Sequence, residues 1–431
     1  MSFNKKTIND YDINNKKVLL RTDYNVPLKS NGEIADDYRL QKSLPTIQAL
    51  IDKNCSIVII SHLGRPKSPD DKSCTLAPIA KRLSELLNHE VEFANDCIGD
   101  ESISKSSSLQ NRQILLLENL RYHPEEELND ESFAENLAKH GEVFVQDGFG
   151  VVHRAHASTM AITNYLPSIS GLLLEKEVDT ISNAMENPER PLVSIVGGAK
   201  IADKIDILNR FIDISDVLIV GGAMANTFLL AEGIDVGNSL ADKEDVPVAK
   251  DIIEKAKQKS AEQRFIFYLP QDGVVSLDKD NPATTRIVDW STHIIADIES
   301  YPKIPSSVNS KINADEKILD VGPFSGAFIA GAMQLSNTVI WNGTLGVTET
   351  KSVNGPIGPF SHGTELVIDA MLGQFGHKPF SIVGGGDTVG YVEERKLVDY
   401  FGHVSTGGGA SLDLMSGKTL PGVEALLNKD N

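Results

Sequence analysis

The chain has 431 residues, 41% of them hydrophobic, and a formal net charge of −19 at pH 7. That length suggests two or three domains, and the apolar content excludes wholesale disorder. A global acidic field argues against nucleic acid or an anionic membrane as partner, so any anion site has to be a local basic cluster.

The start, "MSFNKKTINDYDI", lacks the apolar stretch of a secretory leader, and no apolar run reaches the ~18 residues of a membrane span. A cytoplasmic protein is therefore expected. Cys55, Cys74 and Cys97 form no Cys-x-x-Cys pair, so neither a disulfide frame nor a zinc site is expected.

Short apolar runs alternate with helical patterns. The early runs are "VLLR" (18–21), "SIVIISH" (56–62), "ILLLEN" (114–119) and "VFVQD" (143–147). "LAPIAKRLSELL" (76–87) reads as an intervening helix, whereas "SISKSSSLQNR" (102–112) reads as an exposed loop. Leu174, Val178, Ile181 and Met185 fall at helical spacing and precede "ENPERP", which predicts a helix and hinge over 174–191. The later runs are "VSIVGGAK" (193–200), "VLIVGGAM" (217–224), "FIFYLPQD" (265–272), "KILDVGP" (317–323), "TVIWNG" (338–343) and "FSIVGGGD" (380–387). "TETKSVNGPIGPFSHG" (348–363) reads as a second exposed loop. Near-continuous apolar strands alternating with helices predict an α/β chain of two domains. Each is a Rossmann-like parallel sheet flanked by helices, and a long helix and hinge join them.

Ligands of open parallel sheets bind outside the carboxyl ends of the strands. In the first half those ends are basic: Asp23 and Asn25, His62 and Arg65, Arg121, then His153, Arg154 and His156, with Arg39 close behind in "DDYRL". One arginine after a strand is ordinarily a solvated residue. Three successive strand ends carrying one suit the carboxylate and phosphate oxygens of a small polyanion. His153 and His156 lack acidic or cysteine companions beside them, which makes a poor metal pair and a better support for the arginine loop.

In the second half the ends are glycine-rich. Gly384, Gly385 and Gly386 give up side-chain contacts where bare backbone N–H groups can approach a phosphate at a helix N-terminus. Asp387 follows, placed to hold a cation beside phosphates. Lys200 and Lys204 would share a face of a helix opening after "GGA", where a lysine offsets developing charge. A G-x-G-x-x-G fingerprint fails at Val389, and a P-loop read back from "GKT" fails at Leu412. An ordinary dinucleotide-dependent dehydrogenase and a P-loop ATPase are thereby disfavoured.

"RTDYNVPL", "SHLGRP", "LLLENLRYHPEEE", "HRAHAS", "ENPERP", "VGGAKIADKI", "GGAMANTFL", "WNGTLGV", "SIVGGGDT" and "STGGGASL" stand in one order from about residue 17 to 427. Together they resemble the phosphoglycerate kinase family. The resemblance implies ATP:3-phosphoglycerate phosphotransfer by a monomer. It implies an acid-substrate domain over 1–173, a Mg²⁺-nucleotide domain over 192–404, and a segment 405–431 that returns to the first. By resemblance, Asp23, Asn25, Arg39, His62, Arg65, Arg121 and Arg154 bind 3-phosphoglycerate. Lys200, Lys204, Gly322, Asn342, Glu349 and Gly384–Thr388 bind ATP or ADP, with Asn342 near the phosphates and Glu349 near the ribose. Arg39, Lys200, Gly385 and Gly386 are expected at the transferring phosphoryl group, and Asp387 on Mg²⁺. Ala223, Gln271, Thr344, Leu345 and Thr348 depart from the family's usual residues, which leaves nucleotide preference open. A relative that binds these ligands without turnover is the alternative, since a fold does not secure a function.

Overall fold

A computed structural model describes residues 3–68, 71–290, 311–352, 355 and 357–429. The strands of the first half are β1 (Lys17–Arg21), β2 (Ser56–Ile60), β3 (Val91–Phe93), β4 (Ile114–Leu116), β5 (Val143–Gln146) and β6 (Ser168–Ser170). Its helices are α1 (Tyr38–Asp52), α2 (Ala77–Leu87), α3 (Asp100–Ser108), α4 (Glu131–Ala138) and α5 (Leu172–Glu186). The second half has β7 (Leu192–Val196), β8 (Val217–Val220), β9 (Ile266–Tyr268), β10 (Asp272–Ser276), β11 (Arg286–Asp289), β12 (Lys317–Val321), β13 (Thr338–Asn342), β14 (Phe380–Gly384) and β15 (His403–Val404). Its helices are α6 (Ile205–Ile214), α7 (Met224–Ala231), α8 (Val246–Glu262), α9 (Pro323–Gln334), α10 (His362–Met371) and α11 (Gly386–Glu394), followed by α12 (Gly409–Met415) and α13 (Pro421–Glu424).

The chain divides into two compact units. One takes the residues up to Asn183, Thr406–Leu414 and the chain from Lys418 on; the other takes Ala184–Ser405 and Met415–Gly417. In the first, a six-stranded sheet of order β3-β4-β2-β1-β5-β6 is parallel throughout. Alternation fills both its faces. Val18, Leu20, Ile57 and Ile59 enter one apolar cluster, while Leu19, Val58 and Ile60 enter another. Burial on both faces explains why these strands read as unbroken apolar runs. The N-terminus of α5 is tied to this sheet: Asp147 Oδ1 accepts the N–H groups of Leu173 and Leu174 at 2.9 and 3.3 Å, and Thr46 Oγ1 accepts that of Leu172 at 3.1 Å.

In the second unit a six-stranded parallel sheet has the order β15-β14-β13-β7-β8-β9. A separate three-stranded sheet, β11-β10-β12, is antiparallel. The run 317–323 therefore pairs otherwise than its apolar look suggested. Its first residues are only half-buried, as antiparallel sheets with one wetter face permit. The run 265–272 likewise ends at Tyr268, and Asp272 opens β10.

The stretch 102–112 is not the expected loop, because its first part is helix α3. Ser102 Oγ donates to Gly99 O at 2.8 Å, and Ser106 Oγ donates to Ile103 O at 3.1 Å. Both serines are buried with their hydroxyls satisfied on the preceding turn, a use of serine inside a helix that composition hides. In 348–363 the described residues hold no regular element until α10; 353, 354 and 356 lie outside the described residues.

Candidate functional site

Two cavities lie beyond the carboxyl ends of the strands, one in each unit. That of the first unit has a volume of about 360 Å³. Asp23 and Asn25 reach it from the end of β1, and Arg39 from the first turn of α1. His62 and Arg65 follow β2, Arg121 lies in a 3₁₀ turn (Leu120–Tyr122) after β4, and Arg154 follows β5. All seven residues expected on this side line the one cavity.

Four guanidinium groups and one carboxylate make this a cationic pocket in an acidic chain. Arg39 Nη1 pairs with Asp23 Oδ2, Arg121 Nη1 donates to Gly64 O at 2.8 Å, and Gly64 N donates to Asn25 Oδ1 at 2.8 Å. Arg65 and Arg154 are exposed, and Arg154 Nε donates to His153 Nε2 at 3.2 Å. Burial works to raise the Asp23 carboxyl, but Arg39, His62 and the Asn25 N–H outweigh it and hold it below the usual carboxylate range. Burial drives His62 well below its ordinary value, with Asp23 opposing and the arginines assisting. His62 is thus a neutral hydrogen-bonding group at pH 7.

Behind His62, outside the cavity lining, lie residues that sequence reasoning passed over. Arg21 is 1% exposed; its Nε donates to Ser158 Oγ at 2.8 Å, Nη2 lies 3.4 Å from His62 Nδ1, and Glu126 Oε1 lies 3.8 Å away. Glu126 in turn accepts from Ser158 N at 2.9 Å and Ser158 Oγ at 2.5 Å. His153 lines the cavity as well, but His156 does not; it lies 3.8 Å from Glu126 and burial lowers it to about 4. Gly407, Gly408 and Gly409 complete the lining. Glu177 of α5 anchors their loop by accepting Thr406 N at 2.7 Å and Thr406 Oγ1 at 2.8 Å.

The cavity of the second unit is about 210 Å³. Leu229, Leu240, Pro270, Trp290 and Ile318 give it an apolar side; Asp272, Asp320, Glu349 and Asp387 supply carboxyl groups. Ala223, Thr344 and Leu345 also line it. Leu345 is buried against Gly221, where any side chain at 221 would lie 2.3 Å from Leu345 Cδ2.

Of the residues expected on this side only Glu349 and Asp387 line the cavity; next to Asp387, outside that lining, lies a donor cluster. Lys204 Nζ donates to Asn342 O at 3.2 Å and also to Asn342 Oδ1. Asn342 Nδ2 is buried without a partner among the described residues. Gly385 caps α11 at φ +88° and ψ 134°, a conformation closed to side chains, and a Cβ there would sit 3.1 Å from Asn342 Oδ1. Gly384 ends β14, Gly386 opens α11, and the exposed Asp387 stands in its first turn. Thr388 is buried, its Oγ1 accepting Gly343 N at 2.7 Å. Burial lowers Lys204 to about 8, against the pull of Asp387 and Asp203. A desolvated ammonium, an unpaired amide and a helix N-terminus together suit a polyanion. One exposed carboxylate beside them suits Mg²⁺, which takes one or two carboxylates plus phosphate oxygens.

One expectation changes here, and one glycine has a packing role of its own. Lys200 and Lys204 share no helix face, because α6 begins only at Ile205; Lys200 is exposed in the preceding loop. Gly322 is glycine for packing: it caps α9, and a Cβ would fall 2.2 Å from the Asp272 carboxyl, which accepts the N–H groups of Phe324 and Ser325 at 2.9 and 2.8 Å.

The family model described as phosphoglycerate kinase matches residues 8–418. The chain is 42% identical over 425 residues to phosphoglycerate kinase of Moorella thermoacetica, covering 99% of this chain and 100% of that one. It is also 42% identical over 425 residues to that of Chloroflexus aurantiacus, covering 98% and 99%. Among solved structures it is similar to phosphoglycerate kinase from Coxiella burnetii, with a TM-score of 0.80, 36% identity and 98% of each chain covered. It is similar too to that from Pyrococcus horikoshii, with a TM-score of 0.78, 28% identity and 98% of each chain covered. With two cavities of this chemistry and relatives matched end to end, the chain belongs to the phosphoglycerate kinase family.

Proposed function

We propose that this chain is an ATP:3-phosphoglycerate phosphotransferase that moves a phosphoryl group reversibly between ATP and the carboxylate of 3-phosphoglycerate. The observation that carries the reading is the gathering of Arg39, Arg65, Arg121, Arg154 and His62 on one cavity of a chain with net charge −19. Such a pocket suits a triose acid bearing a phosphate. The acceptor carboxylate is ionised at pH 7, with a pKa of about 3–4, so no general base is required. Catalysis is then positioning and charge neutralisation.

In this reading residues 1–173 and 405–431 hold 3-phosphoglycerate, 192–404 hold ATP or ADP, and 174–191 form the hinge. Asp23, Asn25, His62, Arg65, Arg121 and Arg154 anchor the acid. Arg39 and Lys200 approach the transferring group, where the Gly385 and Gly386 N–H groups also donate. Lys204 and Asn342 bind phosphate oxygens, Glu349 the ribose and Thr388 the loop that carries Gly343. Gly384 and Gly322 shape the backbone around them. Asp387 would hold Mg²⁺, which when bound neutralises phosphate charge. The two ligands must meet with water excluded, so closure about the hinge is part of the proposal. The protein is proposed to act as a cytoplasmic monomer; no described helix is long and apolar enough to cross a membrane.

The test is ADP formation from ATP, Mg²⁺ and 3-phosphoglycerate by purified protein, beside Arg39→Ala and Lys200→Ala. Turnover that needs all three and collapses in both variants is expected. Saturable binding of both ligands without turnover would instead mean a relative that has lost its chemistry. Small-angle scattering should show compaction only with both ligands present.

A further inference from the structure

Away from both cavities, three side chains of metal-binding type converge. Asp96 and Cys97 occupy the turn between β3 and α3, and His123 follows the 3₁₀ turn Leu120–Tyr122. A carboxylate oxygen of Asp96, the Cys97 Sγ and a ring nitrogen of His123 all lie within 4.8 Å of one another. His123 Nε2 and Asp96 Oδ1 are already 3.0 Å apart. Cys97 is 1% exposed, and its thiol hydrogen-bonds to no other residue among those described. It is an unpartnered, buried, soft donor pointing into the cluster. Asp96 and His123 keep 38% and 27% of their side chains exposed, so the cluster opens to water on one side.

We infer that Asp96, Cys97 and His123 form a site for a borderline-soft divalent cation, Zn²⁺ by preference, with water completing a tetrahedral shell. Thiolate, imidazole and carboxylate form a mixed donor set that selects zinc over magnesium. Metal–ligand bonds of about 2.0–2.3 Å place such ligands roughly 3.2–3.7 Å apart, so His123 and Asp96 are already near enough and only the Cys97 sulfur needs to approach, by at most about 1–1.5 Å. On binding, the thiol proton leaves to solvent as the sulfur–metal bond forms. This site is independent of the kinase reading, although His123 stands two residues from Arg121 and its capture would fix that turn.

Cobalt(II) titration of the full chain, stripped with a chelator, tests the inference. One equivalent should produce a thiolate-to-cobalt charge-transfer band and tetrahedral ligand-field bands, both lost when Zn²⁺ is added. Cobalt at an all-oxygen site such as Asp387 gives no thiolate band, and Cys97→Ala separates Cys97 from the half-exposed Cys74. Cys97→Ala should abolish the band; His123→Gln, at a partly exposed position, should weaken binding at least tenfold with near-ultraviolet dichroism unchanged. Should Cys97→Ala fail to fold, the His123→Gln result decides alone. Absence of a thiolate band in the wild type, or its persistence unchanged in either folded variant, overturns the inference.

Discussion

Lys204 offers a test of the proposed nucleotide site that reads protons rather than turnover. Burial lowers its ammonium to about 8, while Asp387 and Asp203 pull the other way. A bound polyphosphate should restore it to about 10.4 or above, the ordinary lysine value. At pH 8 the free protein then carries about half a proton on Lys204 and the complex a whole one, so binding takes up about 0.5 proton. Above pH 8 every unit costs affinity: between pH 7 and pH 9 the ratio (1 + 10)/(1 + 0.1) is tenfold, or about 1.4 kcal/mol. Calorimetric titration with ADP in buffers of different ionisation enthalpy measures both quantities. Lys204→Met should bind ~10–150-fold more weakly, from the loss of a charged hydrogen bond worth about 1.5–3 kcal/mol, and should lose the pH dependence. Wild-type affinity that stays flat from pH 7 to 9, or a decline equally steep in Lys204→Met, refutes the reasoning.

Asp147→Asn tests the tie at the start of α5. Burial raises the Asp147 carboxyl to about 7, with its Thr46 and helix N–H bonds opposing. The folded state therefore holds a proton that the unfolded chain releases near pH 4, and this stabilisation, complete below pH 4, is lost as pH rises through 7. Between pH 5 and pH 8 the wild type should lose about 2–3 kcal/mol relative to the asparagine variant in urea unfolding; parallel pH curves would sink the idea. Gly385→Ala forces a side chain into a forbidden conformation and against Asn342, so unfolding of the second unit, reported by Trp290 and Trp341, should come about 1–3 kcal/mol earlier. Unchanged stability and unchanged ADP affinity together would show that the Gly385 backbone is not held as described. Arg21→Met strands the buried Glu126 carboxylate and should cost about 3–5 kcal/mol, with Arg21→Met/Glu126→Gln recovering part of it. A loss in the single variant below about 1 kcal/mol would mean that the pair is solvated.

The arginine-lined cavity of the first unit was legible because its chemistry resides in side chains. Parallel strands place whatever follows them on one edge, so arginines after β1, β2, β4 and β5 had to gather even without coordinates. The cavity of the second unit was less legible because much of the chemistry around it is backbone. "VGGGD" and "DVGP" look alike on paper, yet Gly322 accommodates the Asp272 carboxyl, whereas Gly385 frees the head of α11. A glycine does not announce whether a ligand or a neighbouring residue needs the space. The pairing of Lys204 with Asn342 joins residues 138 apart, and the placing of α6 after Lys204 rather than before it separated two lysines that periodicity had put together. Antiparallel β10–β12 and the serine-rich α3 were missed for a related reason: their satisfaction comes from partners that only the fold brings near.

One signal was present and went unused. Arg21 is the last residue of "VLLR", the end of a strand buried on both faces, where an arginine contradicts its surroundings. A guanidinium fully out of water is retained only where its partners are fixed, and here they are Glu126, Ser158 and His62. Through His62 the buried charge bears directly on the cavity: a guanidinium N–H facing Nδ1 leaves the imidazole its proton on Nε2. Asp147, a carboxyl buried at the foot of α5, and Gly385, in a turn that only glycine adopts at the head of α11, also depart from what packing alone favours. Each breaks a local rule beside a cavity or the connecting helix, where a stable core alone would have chosen an apolar side chain or a relaxed turn.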